Sequence, residues 1–130
     1  MTVFVDTSAL IALLDAGDDD HRRAIRGRER ILGRRWLTHS YVAAESLALV
    51  RGRLGADATA RFIDELLPAI EVEDVDRPFR EATTRSYRDV LATSVSYMDH
   101  VSFSFMRHHR ITLAWAIDHD FVTAGFELVA

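Results

Sequence analysis

Four acidic side chains in this sequence stand where carboxylates can do chemistry together: Asp6, Glu45, Asp99 and Asp118. Asp6 directly follows the apolar run Val3-Phe4-Val5, and Asp118 ends the apolar stretch Ile111 to Ile117. Both therefore sit at the carboxyl ends of predicted strands, the edge where open parallel sheets form their ligand crevice. Glu45 has Tyr41, Val42, Ala48 and Leu49 as its helical neighbours, so it is a lone carboxylate on an apolar stripe with no basic residue within a turn. Burying such a group unpaired costs several kcal/mol unless it is protonated or meets a cation. Each acid also has an ordinary use. Asp6 can cap the following helix, Asp99 fits a Ser96-x-x-Asp99 capping arrangement, Asp118 suits a turn, and Glu45 can be a surface residue.

The joint pattern goes beyond those uses. If the strands before Asp6 and Asp118 are neighbours, so are their carboxylates, and two like charges ~4 Å apart repel by about 4 kcal/mol at an effective dielectric of 20. Three or four such groups do not stay ionised without a counter-ion. The sequence has no Lys, and no Arg lies near these positions along the chain. A divalent metal is the natural partner, and an all-oxygen set suits Mg²⁺ or Mn²⁺ better than Zn²⁺.

Composition narrows the alternatives. The 130 residues are 48% hydrophobic and 28% charged, with two Pro and six Gly, which is expected of one globular domain spanning 1–130. All sixteen basic residues are Arg, and Cys, Asn and Gln are also missing. The absences exclude a P-loop lysine, Schiff-base chemistry, thiol nucleophiles, thiolate zinc sites and disulfides. A net charge of -4 argues against holding nucleic acid by overall positive charge while leaving a local basic surface open. The amino terminus has no basic leader-like region, and no apolar stretch reaches the ~20 residues of a membrane span. The expectation is a cytoplasmic protein with no membrane association.

The elements that must place the acids follow from periodicity. Val3-Phe4-Val5 predicts a buried strand, followed by a helix with Leu10, Leu13 and Leu14 that closes at Gly17. A second helix is expected from Asp18-Asp19-Asp20 to about Leu32, then a short strand at Trp36-Leu37-Thr38. Ser40 to Leu54 reads as a largely apolar helix, and a separate helix carrying Phe62, Ile63, Leu66 and Leu67 is expected to stop at Pro68. Ala69 to Val75 alternates like a strand with one wet side, and Pro78 opens a helix. A helix from Ser96, a strand from Ile111 to Ile117, a helical turn and a last strand from Phe126 to Val129 complete the chain. Alternating strands and helices with apolar central strands predict an α/β fold with a parallel sheet covered on both faces.

With these residues in place the sequence resembles the PIN-domain ribonucleases, and within them the VapC-type toxins of toxin-antitoxin pairs. Val5-Asp6-Thr7-Ser8-Ala9-Leu10 is similar to the family's opening motif, and Ala44-Glu45 to its helical glutamate. Ser96-Tyr97-Met98-Asp99-His100-Val101-Ser102-Phe103 resembles the third motif, and Ala116-Ile117-Asp118-His119-Asp120-Phe121 the last. The resemblance covers the whole chain. It implies a three-layer PIN-like fold whose central, mostly parallel sheet has about five strands flanked by helices. It also implies that Asp6, Glu45, Asp99 and Asp118 form a catalytic Mg²⁺ or Mn²⁺ site, that Thr7 or Ser8 supports it by hydrogen bonds, and that Asp120 assists as an outer ligand. The implied activity is endoribonuclease cleavage of RNA to 5'-phosphate and 3'-hydroxyl ends. The implied partners are the RNA substrate, a cognate antitoxin and a second copy in a homodimer. His100 departs from the small or Cys residue expected after the third acid.

Residues Arg22 to Arg35 contain seven Arg and one acid. Arg22, Arg23 and Arg26 are candidate RNA contacts beside the acidic cleft. Against that stands a solvated helical face in which Asp18 pairs with Arg22 and Asp19 with Arg23. The scattered His residues and both Trp read as surface or core residues. Two other functions compete with the nuclease. A non-catalytic PIN-like RNA-binding or regulatory module has no chemical need for four repelling acids. Phosphoryl transfer from an Asp nucleophile of the haloacid-dehalogenase kind needs a second Asp two residues on, where Ser8 stands, and a lysine the chain lacks.

Overall fold

Apolar residues on both faces of a strand require cover on both faces, and the central strands here have it. In the computed structural model, which describes residues 1–129, β1 (Thr2–Val5) directs Val3 and Val5 to one side of the sheet and Phe4 to the other. On the first side Val3, Val5, Trp36 and Trp115 pack with α1 (Thr7–Leu14), α2 (His21–Arg30) and Val50 and Ala58 of α3 (Ser40–Arg61). On the other, Phe4, Leu37 and Ala114 meet Phe103, Phe105 and Met106 of α5 (Tyr97–His108) and Phe121 of α6 (Asp120–Thr123). The result is helix, sheet, helix.

The sheet has five strands in the order β3-β2-β1-β4-β5, with β2 at Arg35–His39, β3 at Glu71–Glu73, β4 at Leu113–Trp115 and β5 at Glu127–Leu128. Every pairing is parallel, where the sequence predicted a mostly parallel sheet. β1 lies between β2 and β4, with Phe4 opposite Ala114 and Val5 opposite Trp115. The chain reverses its winding at β1, and this topological switch point places the ends of β1 and β4 side by side.

Several element boundaries differ from expectation. α2 starts at His21, because Asp18 turns its carboxylate back to accept from the Asp20 backbone N–H instead of pairing with Arg22. The anticipated Asp18–Arg22 and Asp19–Arg23 ion pairs are not formed; Arg35–Glu71 and His109–Glu73 are the ion pairs among the described residues. α3 is broken at Gly55, whose φ of 85° suits glycine, so the two separate helices expected on either side of it are present, and the second passes into a π-helical turn (Phe62–Leu66) that was not expected. Pro68 lies inside the following 3₁₀ turn (Leu67–Ala69) and does not end a helix, since the first turn needs no N–H from it. β3 is exposed throughout rather than on one side, because it is a three-residue edge strand. β4 and β5 are shorter than predicted, and α4 (Arg77–Tyr87) opens at Pro78 as expected, capped by Asp76. No helix among the described residues is long and apolar enough to cross a membrane.

Two tryptophans lock α2 to the sheet. Trp115 is fully buried and donates from Nε1 to the Ala24 carbonyl at 3.2 Å, while Trp36 donates to the Ile31 carbonyl at 2.9 Å. Gly27 makes the first contact possible, because a Cβ there would lie 2.8 Å from the Trp115 Nε1. Gly52, on an open part of α3, has nothing within 4 Å of the same position. The two Gly→Ala substitutions are therefore expected to act with opposite signs in urea unfolding. Gly52→Ala should stabilise by about 0.5–1 kcal/mol through helix propensity alone, whereas Gly27→Ala should destabilise by about 1–3 kcal/mol because the buried indole has nowhere to move.

Candidate active site

The end of β1 and the end of β4 converge on a cleft of about 420 Å³ lined by Asp6, Glu45, Asp99 and Asp118. Asp6 is the N-cap of α1, and its backbone N–H donates to the Trp115 carbonyl at 3.0 Å, which ties it to β4. Its Oδ2 accepts from the Ser8 backbone N–H at 3.0 Å and from the Ser8 hydroxyl at 2.6 Å. The same hydroxyl accepts from the Ile117 N–H at 2.9 Å, so Ser8 holds the approach to Asp118 against α1. Thr7 is occupied elsewhere: its Oγ1 accepts from Ser46 at 3.1 Å, next to Glu45 on α3. Asp99 stands in the first turn of α5, behind an N-cap in which Ser96 Oγ accepts from the Asp99 N–H at 3.1 Å.

Asp120, expected as an outer assistant, is one of the three acids that come closest together. Asp99, Asp118 and Asp120 each offer a carboxylate oxygen, and these oxygens lie within 4.8 Å of one another. Asp118 Oδ1 accepts from the Asp120 N–H at 2.9 Å, a turn that sets both side chains at the same corner.

The gathering has an electrostatic consequence. Burial, with the nearby charges of Glu45 and Asp118, pushes Asp6 up from 3.8 to about 6, even though its hydrogen bonds from Ser8 pull the other way. Asp99 rises to about 7, again through burial first and then through Asp118, Asp6 and Asp120. The charges that act on these two acids are carboxylates, with no guanidinium among them. The donor set is therefore all-oxygen, crowded and lacking a compensating cation from the chain, which fits a hard divalent ion.

Several site residues escaped the sequence reading. Asp18 and Asp20 also line the cleft, although the sequence assigned them to a helix start. Arg53 lines it too, eight residues beyond Glu45, outside the single turn over which a partner was sought. Ser102, three residues after Asp99, borders the cleft and bonds at 2.9 Å to Nε2 of the fully buried His39. His39 Nδ1 accepts from the Val42 N–H, and burial pushes its pKa down to about 4, so the neutral ring donates from Nε2. It thereby clamps the start of α3, which carries Glu45, to α5, which carries Asp99. His100 faces away, bonding to Ser86 Oγ at 2.9 Å and packing on Tyr87 under α4, with burial lowering its pKa. Arg22, Arg23 and Arg26 lie on α2 outside the cleft lining, Arg22 and Arg26 exposed.

Comparison with known proteins agrees with this arrangement. The PIN domain profile matches residues 3–127. The chain belongs to the PIN domain family. It is 32% identical over 128 residues to the 23S rRNA-specific endonuclease VapC20 of Mycobacterium tuberculosis, covering 95% of each chain. The crystal structure of that protein, described as a sarcin-ricin loop cleaving toxin, superposes with a TM-score of 0.85 at 31% identity and 95% coverage of both. FitAcB from Neisseria gonorrhoeae shares the PIN fold at a TM-score of 0.75, with 16% identity, 100% of this chain and 97% of that one.

The raised carboxylates have a signed effect on stability. Between about pH 4 and 7 the folded chain holds protons on Asp6 and Asp99 that the unfolded chain has released, so in EDTA these groups make the fold less stable as pH rises through that window. A separation of one pH unit between folded and unfolded pKa corresponds to about 1.4 kcal/mol, discounted for the half-open Asp99. Asp99→Asn should therefore be more stable than the parent by about 1 kcal/mol or more at pH 7.5 in EDTA, with the gap closing towards pH 4.5. Urea unfolding at the two pH values checks this, and a gap independent of pH would contradict it.

Proposed function

We propose that this PIN-domain protein is a metal-dependent endoribonuclease and the toxin of a toxin-antitoxin pair. Asp6, Glu45, Asp99 and Asp118 would hold Mg²⁺ or Mn²⁺, with Asp120 as an additional ligand. The observation that carries the reading is the convergence of these acids at the ends of β1 and β4 without a basic partner, in a chain 32% identical over nearly its whole length to an RNA endonuclease. A bound divalent ion supplies a water of lowered pKa and neutralises charge on the departing oxygen.

The protein's own residues supply the rest. Ser8 fixes the Asp6 carboxylate and the backbone before Asp118, so that both are oriented before substrate arrives. The Ser46–Thr7 and His39–Ser102 hydrogen bonds hold α3 against α1 and α5, and with them the Glu45 and Asp99 backbones. With water as the attacking group, the RNA 2'-hydroxyl takes no part, and the ends are 5'-phosphate and 3'-hydroxyl. Arg22, Arg23 and Arg26 lie on α2 outside the cleft, a few residues beyond Asp18 and Asp20 of its lining, and would meet only parts of the strand that run out of the cleft. The reading brings with it a cognate antitoxin and action on cytoplasmic RNA. The relative's specificity makes ribosomal RNA, its sarcin-ricin loop first, the substrate to test.

The purified protein is expected to cut end-labelled ribosomal RNA at discrete positions with Mn²⁺ or Mg²⁺ and not with EDTA, leaving 5'-phosphates. Asp6→Asn and Asp99→Asn should each lower the rate by about a hundredfold or more. Mn²⁺ at about 100 times its dissociation constant should stabilise the parent by ~2.7 kcal/mol and the variants less. Absence of cutting by folded, metal-loaded protein on both ribosomal and total RNA would favour a binding or regulatory role.

A further inference from the structure

Arg53 is the one basic side chain lining the acidic cleft among the described residues, and nothing in the acid cluster explains it. Glu45, Leu49 and Arg53 recur every four residues on the cleft side of α3, which puts Arg53 about 12 Å along the helix axis from Glu45. It is exposed, and it makes no hydrogen bond or ion pair with any described residue. Nor does it act as the counter-ion of the centre, since the charges felt by Asp6 and Asp99 are other carboxylates. It stands at the mouth of the site with its guanidinium uncommitted.

An RNA strand entering the cleft passes Asp18, Asp20 and the acid cluster, all of which repel its phosphates. A local cation away from the metal-holding acids offsets that repulsion, and the planar guanidinium fork matches a phosphate in a way a point charge does not. We propose that Arg53 grips a backbone phosphate flanking the scissile one and so sets which phosphodiester is presented to the acids. The proposal rests on the ribonuclease reading, and it assigns Arg53 a substrate-binding role that neither the sequence motifs nor the acid cluster contains.

The test compares the parent with Arg53→Ala, Arg53→Lys and, as a control, Arg51→Ala, which is exposed on the same helix outside the cleft. Cleavage of a single-stranded RNA oligonucleotide with Mn²⁺ yields KM, kcat and the cut positions. Anisotropy of the same labelled strand in Ca²⁺, with the strand recovered intact, yields Kd over a range of KCl. Arg53→Ala is expected to raise KM and Kd about tenfold while kcat changes less than about twofold. The dependence of log Kd on log[KCl] should become less steep by about 0.7, the loss of one phosphate contact on a single strand. New cuts beside the main one should appear as the register loosens. Arg53→Lys should keep the salt slope and recover only part of the affinity.

Unchanged KM, Kd and slope in Arg53→Ala, or equal losses in Arg51→Ala, would overturn the proposal while cleavage by the parent still upheld the nuclease. If the parent binds the strand but does not cut it, the nuclease reading fails, and the salt slope still decides whether Arg53 holds phosphate. An unchanged melting temperature in Arg53→Ala is expected, since the side chain has no partner to lose.

Discussion

The structure is organised around a repulsion. Asp6, Glu45, Asp99, Asp118 and Asp120 are brought to one place although like charges repel there, and burial with the neighbouring carboxylates makes Asp6 and Asp99 less willing to ionise. Left to themselves such groups would separate or protonate, so the scaffold has to hold them by bonds that do not involve their charge. It does so through the main chain. Parallel pairing of β1 with β4 fixes the backbone of Asp6 against Trp115, and the Ser8 hydroxyl joins that strand end to the next one at Ile117. The acids on α3 and α5 are held indirectly, α3 by Ser46 on Thr7 and α5 by Ser102 on His39.

That explains why buried polar residues appear in an otherwise apolar interior. Thr7, Thr38, His39, Ser46 and Ser102 are all buried, and each finds a partner within hydrogen-bond distance. Every one lies at the carboxyl end of the sheet or on a helix that reaches it. Over the face of the sheet that carries Val3 and Val5, the interior is filled by apolar contact that includes the Trp36 and Trp115 pair, whose rings sit 5.6 Å apart. Buried hydrogen bonds are directional where apolar packing is not. The fold therefore uses the directional kind where a side chain must be aimed and the non-directional kind where a layer must only be filled.

The sequence made the strands and the acids legible to different degrees. Val3-Phe4-Val5 followed by Asp6-Thr7-Ser8 announced both a buried strand and the corner after it, because a fully covered parallel strand needs apolar residues on both faces. Asp6, Asp118 and Glu45 were legible because each occupied a strand end or an apolar helix stripe, where a carboxylate is out of place, while Asp99, which reads as part of a helix cap, joined them through the family resemblance. Asp18, Asp20 and Arg53 were not, since their positions suit ordinary helix chemistry and only the tertiary path of α1, α2 and α3 brings them to the cleft. His39 was hidden for a related reason: its partner Ser102 is sixty-three residues away, and no local pattern announces a bond of that span. The break at Gly55 was legible as the end of one helix and the start of another, whereas the π-helical turn through Phe62–Leu66 lay beyond periodicity, which sees spacing and not backbone angles.

The ordinary and the chemical uses of the same aspartates turn out not to compete. A carboxylate has about four lone-pair positions. Asp6 caps α1 through Oδ2 alone, receiving both Ser8 donors on that oxygen, and Oδ1 has no hydrogen-bond donor among the described residues. At Asp118 the turn to Asp120 uses Oδ1. At Asp99 the cap bond runs from its backbone N–H to Ser96 Oγ and so uses the main chain. These bonds thus orient the Asp6 and Asp118 carboxylates without saturating them and leave that of Asp99 free, as the proposed ligand set requires. On the proposed reading, a motif that looks like a helix cap in isolation is, at a strand end facing a second acid, half of a metal site. The proximity of the other acids, rather than any feature of the cap, distinguishes the two.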